Sequence, residues 1–135
     1  MPSPEELIGA LVREWVRKAE DDRLACITLL KESCDLGAVA AFHAQQMAEK
    51  YLKALLTWRQ IEFPKTHSIA FLLTTLERSD PGILRRIGEA RLLTRYAISA
   101  RYPGDEDRVT EVEAGEALKV AEGVRALVLE VVGEP

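Results

Sequence analysis

The 135-residue chain is 47% apolar and 30% charged, which excludes a disordered or fibrous protein. Its length suits one domain with a core that needs no disulfide or metal staple. A formal net charge of −4 argues against nonspecific duplex binding, which needs a broad basic field, but leaves room for a local basic patch.

The N-terminus, "MPSPEELIG", lacks the basic start and apolar core of a signal peptide, so the expected location is cytoplasmic. It opens a first predicted helix instead. Ser3 can cap it, Pro4 fits its first turn, and Glu6 stands three after the cap. Leu7, Leu11, Trp15, Ala19, Cys26, Leu29 and Leu30 recur at helical spacing, and Asp22 fills the gap in that stripe. "CDLG" ends the element. A second helix is predicted over Leu36 to Arg59, with Ala41, Ala44, Ala48, Tyr51, Leu52, Leu55 and Trp58 on one face. His43, Gln46, Lys50 and Lys53 share another face, and Glu49 with Lys53 forms an i,i+4 pair.

"EFPKTHS" is a connection broken by Pro64. A shorter third helix, His67 to Glu77, has Ile69, Leu72, Leu73 and Leu76 as its apolar face. The fourth is predicted over Pro81 to Ala100, with Leu84, Ile87, Arg91, Arg95, Ile98 and Tyr102 on one side as a basic seam. "RYPGDEDRVT" is the longest polar break. Thr110 and Glu113 then form a capping box for the last helix, whose stripe is Ala114, Ala117, Leu118, Ala121, Val124, Val128 and Val131. No segment alternates at period two, and no apolar run approaches the roughly 18 residues of a membrane span. The expected fold is all-α: an up-and-down antiparallel bundle of four long helices and one short helix, as one domain over residues 1–135.

Few chemical motifs stand out. Cys26 and Cys34 lie in or beside one helix, their α carbons about 12 Å apart if it continues, too far for a disulfide. The two histidines, His43 and His67, lie in different elements and outside any Glu-x-x-His pattern, so neither a metal nor a cofactor is expected. No phosphate loop or nucleophile elbow occurs. Arg91, Arg95 and Arg101, with Tyr102, could instead hold phosphate through their planar guanidinium donors. Three readings of the seam stand: Arg91 pairs with Asp22 or Glu49 inside the bundle, the seam binds a nucleotide or RNA, or the arginines are simply solvated. A ribonuclease would further need a base, and only His43 or His67 could supply one through tertiary packing.

Four segments resemble the HEPN domain (higher eukaryote and prokaryote nucleotide-binding domain) in its small stand-alone prokaryotic form. "WVRKAEDDRLA" is similar to the family's first-helix motif, with Asp22 as its acid. "AFHAQQMAEKYLKALL" resembles its most distinctive segment, with Gln45, Gln46, Glu49 and Lys50 as the polar signature. "FPKTHSIAFLL" and "RYPG" complete a likeness that spans residues 15–128. The resemblance implies a helical bundle, commonly a homodimer, often paired with a separately encoded minimal nucleotidyltransferase and sometimes forming a toxin–antitoxin pair. The resemblance also implies that many active relatives are metal-independent endoribonucleases, with an arginine followed four to six residues later by a histidine. Here Arg95 is followed six positions later by Arg101, and no histidine comes within reach. The expectation is therefore a non-catalytic or weakly catalytic binding subunit in nucleotide or RNA-related regulation. The alternatives are an endoribonuclease toxin using Arg95 or Arg101 with His43 or His67, and a solitary nucleotide-binding bundle. Gln46, Lys50, Lys53, Arg91, Arg95, Arg101 and Tyr102 are the expected ligand contacts, and Asp22, Gln45 and Glu49 the expected structural polar residues.

Overall fold

Residues 1–32, 35–97 and 108–135 are described by the computed structural model. Among them every regular element is helical: α1 (Pro4–Lys31), α2 (Gly37–Trp58), α3 (Ile69–Ser79), α4 (Ile83–Ile87), a 3-10 helix (Gly88–Tyr96) and α5 (Glu111–Val132). None of these helices is long and apolar enough to cross a membrane.

The helix starts follow local chemistry. Ser3 Oγ accepts from the Glu6 amide at 3.1 Å, and Pro4 costs no hydrogen bond in a first turn whose amides have no helical partner. At α5 the Thr110 hydroxyl accepts from the Glu113 amide at 3.1 Å, and the Glu113 carboxylate reaches back to the Thr110 amide. Ser68 caps α3 by accepting from the Phe71 amide, so that helix starts two residues after the expected His67.

The central element is α2, which packs chiefly on α1 and α5. Met47, Tyr51, Leu52, Leu55 and Leu56 are fully buried, each side chain contributing about 1.5–3 kcal/mol relative to exposure. Both α2 (Ala40, Ala41, Ala44, Ala48) and α5 (Ala114, Ala117, Ala121) bury several alanines, whose small side chains allow neighbouring helices to approach closely. Ion pairs and ring contacts give the relative course of the helices. Asp22 meets His43 and Lys50, whereas Trp15, earlier on α1, lies under Lys53. Residue numbers therefore fall along α1 as they rise along α2. The same opposition holds between α1 and α5, where Glu20 meets Arg125 and Arg23 meets Glu122.

Three expectations are corrected. Leu7 and Leu11 are exposed, because the buried stripe of α1 runs through Val12, Val16, Ala19, Asp22 and Cys26 and leaves both leucines off its axis. Trp58, placed on the buried face of α2, is also exposed at the helix end. The fourth long helix is instead the short α4 followed by the 3-10 helix. From Ile87 onward the buried residues, Ile87, Ala90, Leu93 and Tyr96, are spaced by three, and a 3-10 helix eclipses side chains at that spacing. A period of 3.6 puts Arg91 and Arg95 beside Ile87. The tighter period turns both arginines to solvent.

Candidate functional site

The polar signature of α2 forms two neighbouring groups along the helix, one around Asp22 and one around Glu49. Asp22 projects from α1 into the α1–α2 seam, 8% exposed. One carboxylate oxygen lies 2.8 Å from His43 Nδ1, and Lys50 Nζ donates to the other at 2.5 Å. A nearly buried carboxylate is tolerable because a cation and a ring nitrogen satisfy both oxygens. Phe42 packs edge-on against the His43 ring, with centroids 5.5 Å apart.

Farther along α2, Glu49 is 2% exposed. His67 Nδ1 lies 2.8 Å from one of its oxygens, and Lys53 Nζ lies 3.5 Å from the other. Lys53 is itself buried and sits 5.4 Å from the centroid of the Trp15 ring, adding a cation–π contact to the ion pair. Gln45, fully buried, donates to the His67 carbonyl at 3.2 Å, and Gln46 donates to the Gln45 side-chain oxygen at 2.7 Å. Polar atoms that would be expensive alone are thus paired. Lys50 and Lys53 are committed to Asp22 and Glu49, which takes up the charge each would bring to a ligand.

The arginines are placed differently. Arg91 and Arg95 are exposed, and the partners of Asp22 and Glu49 are histidines and lysines rather than Arg91. The Arg95 guanidinium lies 5.4 Å from the Tyr96 ring centroid. Arg95 lines a cleft of about 260 Å³ between the 3-10 helix and α5, with Leu92, Val112 and the carboxylates of Glu89, Glu113 and Glu116. An anion entering there would meet one guanidinium and three carboxylates, a poor phosphate site. Arg101, Tyr102, Ile98 and Cys34 lie outside the described residues. The described residues contain no group of three or more side chains suited to hold a metal.

Sequence reasoning missed the α1–α5 clamp. Arg125 donates to Glu20 from Nε at 3.1 Å and from Nη2 at 2.8 Å, and Arg23 donates to Glu122 at 2.5 Å. Burial would raise the Glu20 carboxyl, but the Arg125 hydrogen bonds and the neighbouring Tyr51 hydroxyl outweigh it and hold it below its ordinary range. Burial, then the adjacent Glu20 charge, push the Tyr51 phenol up, and its hydroxyl has no hydrogen bond of normal geometry among the described residues. Burial likewise raises the Cys26 thiol to about 11, which makes it inert near neutral pH. Pairs so far apart in the chain have no local signature, since only the packing of α1 on α5 brings them together.

An all-α domain organised on a central helix whose polar signature is turned largely inward is the class that this geometry defines. The HEPN domain model matches residues 12–131. A crystal structure of TT1696 from Thermus thermophilus is similar, with 32% identity, a TM-score of 0.75, and coverage of 88% of this chain and 96% of that chain. No curated protein matches. The chain belongs to the HEPN domain family.

Proposed function

We propose that this HEPN chain is a non-catalytic or weakly catalytic binding subunit. It forms a homodimer, partners a separately encoded minimal nucleotidyltransferase, and acts in nucleotide or RNA-related regulation within the cytoplasm. One observation carries the reading: His43 meets Asp22 and His67 meets Glu49, whereas Arg91 and Arg95 of the expected seam stand exposed on the 3-10 helix, so among the described residues no arginine and histidine are paired as the ribonuclease site requires. An arginine could hold phosphate, but being effectively always protonated it makes a poor base. The opposed registers of α1 with α2 and with α5 also favour an up-and-down course for the one domain.

The experiment is cleavage of labelled single-stranded RNA by purified protein, with chelator, comparing wild type with Arg95→Ala, Arg101→Ala, His43→Ala and His67→Ala. Little or no cleavage is expected. Robust wild-type cleavage lost in an arginine variant would replace this reading with the endoribonuclease. Analytical ultracentrifugation of the untagged chain tests the homodimer, and a single species near the 15.1 kDa monomer mass would reject it.

A further inference from the structure

Two deeply buried polar side chains of α2 converge on one exposed residue. Gln45 holds the His67 carbonyl and Glu49 holds its Nδ1, yet the His67 side chain is 74% exposed. Burying an amide and a carboxylate is expensive, and here one fixes the main chain and the other the ring of a single surface histidine. A carboxylate can only accept a hydrogen bond, so Nδ1 carries the hydrogen. Lys53 Nζ lies 3.5 Å from the other Glu49 oxygen, so the carboxylate already has one cation beside it. With Nδ1 engaged by Glu49, Nε2 is the ring nitrogen left to face a ligand, and the tautomer with its hydrogen on Nδ1 presents a lone pair there. Such a nitrogen accepts from a hydroxyl and does not donate to a phosphate. His43 differs: its side chain is 28% exposed, its ring packs against Phe42, and it shares Asp22 with Lys50.

We propose that His67 is the ligand-facing group of the α2 cluster, its Nε2 accepting a hydrogen bond from a sugar hydroxyl of a bound nucleotide. The assignment rests on the nucleotide reading above. Lys65, exposed two residues earlier in the same connection, supplies a cation for the phosphate end. Glu49 and Gln45 are positioning residues, acting on the ligand only through His67.

The test is imidazole nitrogen NMR on the full chain near neutral pH, titrated with AMP and with 2′,3′-dideoxy-AMP. The expected spectrum has Nδ1 of His67 protonated and Nε2 bare. AMP should move the Nε2 signal and bind about fivefold more tightly than the dideoxy compound, the range of one net hydrogen bond. His67→Ala, a change at an exposed side chain, should abolish that preference while leaving the helical circular dichroism unchanged. Glu49→Gln should shift the wild-type tautomer balance, which a purely structural role for His67 would not require. If both nucleotides bind equally and Nε2 stays still, the assignment of His67 fails and the nucleotide reading stands. If neither nucleotide moves any signal in the protein, both fail together. A ring found with Nε2 protonated and Nδ1 bare overturns the assignment by itself.

Discussion

The charged residues of α2 and those of the 3-10 helix face opposite problems. Glu49, Lys53 and Asp22 are nearly out of water, and each has a partner within ion-pair distance. Arg91 and Arg95 keep their solvent, and among the described residues no carboxylate holds them in an ion pair. The first group cannot be removed cheaply because each loss strands a neighbour in the interior. The second can be removed with little effect on folding, because each arginine stays hydrated and strands no buried partner.

The largest test of this contrast is Glu49→Ala. It leaves buried Lys53 without its carboxylate and frees His67, and chemical denaturation should show a loss of about 3 kcal/mol or more. Asp22→Ala should follow at about 2 kcal/mol, because Lys50 and His43 are partly solvated and recover some hydration. A loss below about 0.5 kcal/mol at either position would mean that the cluster is wet and the contrast false.

The α1–α5 clamp lies between the extremes. A carboxyl held below its ordinary range in the folded state stabilises fully above its unfolded value, ordinarily about 4.3, and that contribution is lost as pH falls through the folded value. Glu20→Gln should therefore be less stable than wild type at neutral pH, by about 1 kcal/mol for a partly exposed bidentate pair. The gap between the two proteins should close as the medium is acidified below about pH 4. A pH-independent gap would assign the effect to packing rather than charge. The smallest expected effect is at the arginines: Arg91→Ala and Arg95→Ala should each stay within about 0.5 kcal/mol of wild type. A larger loss would mean that they are tied into the fold after all.

Much of this fold could be read in the sequence because its signals are local. Ser3 and Thr110 mark helix starts by side chains that reach only three residues on. The α3 face of Ile69, Leu72, Leu73 and Leu76 is buried as its spacing requires. Residues 88–96 are misread at a period of 3.6, where Ile87, Ala90, Leu93 and Tyr96 already display a period of three. Within the candidate site, "AFHAQQMAEKYLKALL" is visible as a polar signature. Which residue answers which is not, because Asp22 and His67 reach it from separate elements.

Gly37, the first residue of α2, lies against the stretch of backbone that enters α5. A β carbon there would collide with the Val109 carbonyl oxygen and come within 3.0 Å of the Thr110 carbonyl oxygen. Two helices that begin far apart in the chain thus share one point of backbone contact at their starts. Neither first turn can swell or unwind without disturbing the other, so their exposure to solvent should be a joint event. In native-state hydrogen exchange, the amides of the opening turns of α2 and α5 should report one common opening free energy rather than two. Gly37→Ala should lower protection at both ends together, making one small residue the seam between otherwise separate cooperative units.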